Sequence, residues 1–285
     1  MSAVVKLKKS LLGQFSNYLS TRVPNAVSAV DDPRAKAKLV NALVAEARAE
    51  LANKLTGSGG LSKQDELIVL QYCTTVSNLE FRNQVWPYEY MALSRRMGEL
   101  WERFCKTAWE APKRANVART DPPDFGDVLR QIHRRVEPVI PQAIKGDFEN
   151  LIGLIDPINM IEDEVFLLDG KLHVIDFKSG FGSNEKGNML RLLAVGRAYK
   201  LYQPDTELLF LVRQDQNNNY LKKIQASGLW HVHSGNAAYK KIDELTGSDI
   251  HDIRKELIDF DSDLSANFWN TLGSARAEVV KYFLW

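Results

Sequence analysis

Asp163-Glu164-Val165-Phe166-Leu167-Leu168-Asp169-Gly170-Lys171-Leu172-His173-Val174-Ile175-Asp176-Phe177-Lys178 is the stretch whose reading decides the fold. Two apolar runs flank Asp169-Gly170, a dipeptide suited to the two central positions of a tight hairpin turn. The stretch therefore predicts two antiparallel strands, Glu164–Leu168 and Lys171–Lys178. A two-residue turn also sets the register: Leu168 faces Lys171, Val165 faces Val174, Glu164 faces Ile175 and Asp163 faces Asp176. Strand alternation then puts Asp163, Val165, Leu167, Leu172, Val174, Asp176 and Lys178 on one face. Directly opposed Cβ atoms lie about 5 Å apart, so two carboxylates there repel unless a cation sits between them. An apolar strand pair that ends in Asp, Asp and Lys is hard to explain as packing alone.

Outward from the hairpin, the chain before it reads as helical. Ala35–Leu55 is rich in Ala, Leu, Lys, Arg and Glu, with apolar residues at helical spacing, and Gly57-Ser58-Gly59-Gly60 stops it. That glycine cluster reads as a linker between a helical region at 1–60 and a main body at 61–285. Further helices are expected over Ser62–Asn78, Tyr88–Trp109 and Ala143–Leu154, with Asp121-Pro122-Pro123-Asp124 as a break. After the hairpin come an amphipathic helix at Asn188–Tyr202, a strand at Glu207–Arg213, a weaker strand at Gly228–Val232 and a final helix at Ser265–Phe283. This order implies a mixed α/β (α+β) protein with a central mixed sheet flanked by helices and a helical N-terminal region.

Composition excludes several classes. With 45% hydrophobic and 26% charged residues the chain is neither disordered nor fibrous. No apolar run nears the roughly 18 residues of a membrane span. Residues 1–6 lack the order of a secretory signal, and a cytoplasmic location is expected. Two cysteines, Cys73 and Cys105, are too few for a disulfide framework or a four-cysteine site. The formal charge of +1 hides sorting: residues 1–60, 82–145 and 171–223 are basic, and 243–285 is acidic. A fold that gathers the basic stretches on one face could hold a polyanion.

The Asp163, Asp176 and Lys178 set has the composition that phosphodiester hydrolysis requires. Carboxylate oxygens bind Mg²⁺, which keeps several waters and takes phosphate oxygens as further ligands. The ion polarises the phosphate and lowers the pKa of a bound water. A lysine beside it can orient or help deprotonate that water, its own pKa lowered by the cation.

The segment Met160–Gly180, with Asp163 and then Val174-Ile175-Asp176-Phe177-Lys178-Ser179-Gly180, resembles the core of PD-(D/E)XK nucleases. No Pro precedes Asp163. Pro stands instead in Ile155-Asp156-Pro157, so Asp156 rivals Asp163 as the first acid, and the hairpin register favours Asp163. The superfamily often adds a helical Glu near a Gly-x-x-x-Glu pattern, which Gly98-Glu99-Leu100-Trp101-Glu102 matches. Glu102 is thereby the candidate for a further metal contact, with Glu99 as fallback. Within the superfamily the layout looks most like a type II restriction endonuclease. That resemblance implies Mg²⁺-dependent, site-specific cleavage of double-stranded DNA to 5′-phosphate and 3′-hydroxyl ends by a homodimer on a short palindromic site.

Ser183, Asn184, Lys186, Asn188 and Arg191 follow the catalytic strand among glycines that let backbone approach a ligand, and they suit DNA contacts. Phosphates are the expected targets, since more than half of protein–DNA hydrogen bonds go to the backbone. His231 and His233 could share a strand face but lack a third ligand nearby. Trp86, Trp101 and Trp109 could stack on bases, although Trp101 alternates with charged neighbours at the helical spacing of core packing. Two other readings stay open: a RecB-like exonuclease or repair nuclease with the same core, and a DNA-binding module whose nuclease core is dead. The Gln-x-x-x-Tyr usual in RecB-like enzymes is not clear here, where Arg191-Leu192-Leu193-Ala194-Val195 stands.

Overall fold

The computed structural model describes residues 1–154, 159–180, 186–214 and 219–285. It divides into two compact units, Met1–Ala115 with Tyr239–Trp285, and Asn116–Ala238. Among the described residues no helix is long and apolar enough to cross a membrane.

The first unit is helical. It contains α1 (Ala3–Val27), α2 (Pro33–Ala52), α3 (Lys63–Val85) and α4 (Tyr90–Lys106). α3 packs against both α1 and α2 and is buried on nearly every side. A helix enclosed in this way shows little amphipathic pattern, and its polar groups must be satisfied internally. Ser62 and Asp65 cap its start reciprocally, and Gln64 donates to the Ala108 carbonyl at 2.7 Å. Glu66 accepts the amides of Gly57 (2.7 Å) and Ser58 (3.1 Å).

These last bonds correct the expected boundary at residue 60. Gly57, Gly59 and Gly60 have positive φ and form a turn fastened to α3. Residues 1–60 share one core with α3, because α1 and α2 bury their apolar faces against it. The later segment completes this unit with α10 (Ile250–Leu257), α11 (Phe260–Asp263), α12 (Ala266–Leu272) and α13 (Arg276–Val279), following most of α9 (Asn236–Thr246). Trp101 donates its indole N–H to the Tyr239 hydroxyl at 2.7 Å, and Asp263 accepts from both Lys8 and Tyr72.

The second unit is built on a five-stranded mixed sheet in the order β1 (Val117–Arg119), β2 (Glu164–Leu168), β3 (Lys171–Lys178), β4 (Glu207–Val212) and β5 (His231–Ser234). β1, β2 and β3 run antiparallel in sequence of pairing, whereas β3–β4 and β4–β5 are parallel. Parallel neighbours need crossovers; α7 (Lys186–Tyr202) and α8 (Asn219–Ala226) provide them. α5 (Phe125–Val136) packs on α7, and α6 (Gln142–Leu154) precedes β2.

The hairpin register is the expected one, from Leu168 opposite Lys171 to Glu164 opposite Ile175. Asp169 and Gly170 have φ of 53° and 78°, the left-handed pair that such a turn demands. Val165, Leu172 and Val174 join Leu208, Phe210 and Val212 in one apolar cluster with Val128, Met189, Leu192, Val195 and Tyr199 of the helices. That is the face carrying Asp176. On the other face Phe166 stacks on His173 at 5.1 Å, so His173 is a packing residue.

Candidate active site

Asp176 occupies the last buried turn of the pleat before β3 ends, on the face that α7 covers, and is only 2% exposed. Burial of a carboxylate is costly unless it is paired. Two cations meet it. Arg191, from the first turns of α7, donates to Asp176 Oδ2 at 2.9 Å, and Lys178 Nζ lies 3.4 Å from Oδ1. The Lys178 contact is an ion pair without hydrogen-bond geometry, so buried Asp176 Oδ1 has no hydrogen-bond donor.

Asp163 stands one residue before β2. Its Oδ2 accepts the Phe177 N–H at 2.6 Å, taking the place of a strand carbonyl where the ladder stops. The two acids named from the sequence are thus brought to the same end of the hairpin, and Lys178 feels both.

A third acid joins them that the sequence reading missed. Glu162 is buried and grips Arg191 with both oxygens, Oε1 to Nη1 at 2.7 Å and Oε2 to Nη2 at 3.3 Å. The Tyr199 hydroxyl donates to the Met160 carbonyl at 2.7 Å, pinning the segment before β2 against α7. Arg191 therefore bridges Glu162 and Asp176. Read from the sequence as a DNA contact, it has its guanidinium committed inside the carboxylate cluster.

Burial and the nearby Asp176 carboxylate push the Glu162 carboxyl up to about 8, against the pull of Arg191. For Lys178 burial acts to lower the pKa, but Asp176 and then Asp163 outweigh it, leaving it above the ordinary lysine value. Without a metal, Lys178 is a charged donor.

A cleft of 330 Å³ opens beside this cluster, lined by Arg119, Thr120, Asp121, Pro122 and the run Glu162–Val165. Arg119 closes one wall through a forked pair with Glu164, at 2.5 and 2.9 Å.

Among the described residues no three His, Cys, Asp or Glu side chains gather closely enough to hold a metal by themselves. A Mg²⁺ site of the substrate-completed kind asks for less: one or two carboxylates, the remaining positions going to water and phosphate. Asp163 and Asp176 fit that donor set, and the Oδ1 atom of Asp176 that lacks a hydrogen bond gives the fit a specific anchor.

The remaining expected residues fall elsewhere. Glu102 lies on α4 in the helical unit, its Oε1 3.4 Å from Lys106 Nζ, and Glu99 pairs with Arg95 and Arg96 there. Neither belongs to the unit that carries Asp163 and Asp176. Lys186 is exposed at the start of α7. Asn188 is half-buried, accepts Arg191 Nε at 3.4 Å, and keeps a buried amide nitrogen without an acceptor. Ser183, Asn184 and Asp156 lie outside the described residues. His231 pairs with Glu207 at 3.3 Å, which ties it to β4. No family model, curated protein or solved structure matches this chain.

Proposed function

We propose that this chain is a Mg²⁺-dependent nuclease with a PD-(D/E)XK core, acting as a type II restriction endonuclease on double-stranded DNA. The observation that carries the reading is the meeting of Asp163, Asp176 and Lys178 at one end of the β2–β3 hairpin, with a buried Asp176 oxygen that has no hydrogen-bond donor. The strand order supports it, since β3 and β4 are parallel and the cluster lies at their carboxyl ends, where open sheets place their ligand sites.

In this reading Asp163 and Asp176 hold the ion. When bound, Mg²⁺ supplies an acidified water and offsets charge on the leaving oxygen. Lys178, kept protonated by its two acids, orients the scissile phosphate and the attacking water. Arg191 holds Asp176 in place through Oδ2 and leaves Oδ1 free for coordination. Glu162 in turn fixes Arg191, a supporting arrangement typical around metal ligands. Lys186 and Asn188 meet DNA phosphates at the start of α7. The reading extends to a cytoplasmic homodimer on a palindromic site, leaving 5′-phosphate and 3′-hydroxyl ends.

The test is incubation of the purified chain with unmethylated phage DNA, in Mg²⁺ or EDTA, beside Asp176→Ala. Discrete fragments that need both the metal and Asp176 are expected. A metal-dependent smear would instead assign the core to an exonuclease or repair enzyme. DNA left whole in Mg²⁺ while still bound would leave a binding module.

A further inference from the structure

A second cleft, of 460 Å³, lies wholly within the helical unit, between α2, the end of α3 and the start of α4. Its walls carry Arg34, Lys38, Arg82, Arg95 and Arg96 against a single carboxylate, Glu99. Glu99 is divided between two of these cations, 3.4 Å from Arg95 Nε and 3.0 Å from Arg96 Nη1. Five cations less one acid leave a surplus of four positive charges in a confined space, and like charges held this close repel. Burial, with Arg96 adding to it, pulls the Arg82 pKa below the ordinary arginine value.

Two of the guanidinium groups are fixed in advance. Arg82 lies over Trp86 and Tyr88, its Cζ 4.6 and 3.9 Å from the ring centroids, and donates to the Trp86 carbonyl. Arg96 donates to Asn78 Oδ1 at 2.8 Å as well as to Glu99. The aromatic segment is itself anchored, because the Tyr88 amide donates to buried Asn83 at 2.9 Å. Arg34, Lys38 and Arg95 reach solvent at the rim, and among the described residues Arg34 and Lys38 have no side-chain partner. Trp86 keeps 36% of its surface exposed beside them.

This is the chemistry of a phosphate chain. Planar, preset guanidiniums take phosphate oxygens in pairs. Trp86 serves to hold Arg82 rather than to meet a base, since duplex bases are already stacked on one another, and the surplus of four positive charges matches a chain that carries a negative charge at every phosphate. We infer that this cleft binds the phosphodiester backbone of nucleic acid, Arg82 and Arg96 holding one phosphate and Arg34, Lys38 and Arg95 engaging its neighbours. The inference rests on the nuclease reading for the identity of the strand, duplex DNA. It deepens that reading by placing sequence-independent affinity for the substrate on the helical unit.

The experiment follows anisotropy of a short labelled DNA duplex bound to the full chain in EDTA, across a NaCl series. Wild type is compared with the triple variant Arg34→Ala/Lys38→Ala/Arg95→Ala, whose fold is checked by circular dichroism. Every phosphate that a side chain ceases to neutralise lowers the slope of log affinity against log salt by about 0.9, so the slope of the triple variant should be shallower by about 2.7. A slope equal to wild type overturns the inference, as does a wild-type chain with no salt-dependent DNA affinity. Displacement of the duplex by polyglutamate as readily as by unlabelled DNA also overturns it, in favour of an acidic polypeptide. Cleavage is scored separately: cutting by wild type with an unchanged slope in the variant removes the cleft and keeps the nuclease. A reduced slope with no cutting in Mg²⁺ keeps the cleft and removes the nuclease.

Discussion

Three carboxyl groups, Glu162, Asp163 and Asp176, share two cations, Arg191 and Lys178, so one negative charge is in excess unless one group keeps its proton. Glu162 is the group whose pKa is raised, to about 8, by burial, then by a hydrogen bond with Asp176 and by that carboxylate's charge, against the pull of Arg191. In the unfolded chain it returns to the ordinary 4.5 or so. The folded state therefore binds the extra proton between these values, and stability must fall as pH rises through that window. Urea midpoints measured in EDTA from pH 5 to 8 should decline with pH in wild type, and Glu162→Gln should flatten the decline. A rise with pH would mean that Glu162 is ionised in the fold. Lys178→Ala should slow metal-dependent hydrolysis by about 10²- to 10⁴-fold while duplex affinity in EDTA stays near wild type. Equal losses in both would make Lys178 a binding group only. Asp163, Asp176 and Lys178 were legible in the sequence because a two-residue turn ties register to residue number. Glu162 was not, because its partner Arg191 stands on α7, and the segment before β2 meets that helix only in the fold, where Tyr199 pins Met160. Nor was Arg191's inward turn, since its partner lies 29 positions away in sequence and is met only when α7 folds back over the sheet.

The element that sets the site's geometry is α7, which carries Arg191 at one end and lies close on β4 through Gly196. A Cβ at that glycine would stand 2.6 Å from the Trp230 indole nitrogen and 3.3 Å from Leu208. Trp230 has little room to yield, being buried with its N–H donated to the Leu192 carbonyl of the same helix at 2.8 Å. Gly196→Ala should therefore lift α7 and cost about 1–3 kcal/mol of stability, as overpacked cores do. Because Arg191 moves with the helix, cleavage should fall more than the loss of folded protein explains; denaturant midpoints and the rate per folded molecule give both readings. Elements were legible where local chemistry dictated them, as at Asp169-Gly170. β5 was displaced from the expected Gly228–Val232 to His231–Ser234, because Gly228 takes a positive φ and ends α8 instead. The single helix expected over Ser265–Phe283 breaks at Gly273, whose φ of 52° closes α12.

Across the whole molecule the chain enters and leaves the sheet unit at 115–116 and 238–239, which makes that unit an insertion between two stretches of one helical unit. Sequence could not show this, because the helical unit is completed by segments more than a hundred residues apart. Charge sorting was visible, but the arginines of the second cleft come from three separate helical segments and meet only in the fold. The division makes a prediction about where a metal acts. A ligand that binds only the folded state stabilises what it touches, by about 2.7 kcal/mol at one hundred times its Kd. Mg²⁺ held by Asp163 and Asp176 should therefore slow amide hydrogen exchange in β2, β3 and α7, while α1, α2 and α3 exchange as before. Peptide-resolved exchange with and without Mg²⁺ measures this directly, and Asp176→Asn should abolish the protection. Protection confined to α4 would instead move the ion to Glu99 or Glu102, the helical glutamates of the other unit. Protection spread evenly over both units would mean that they open as one, so that the ion's stabilisation reaches every helix that shares the transition.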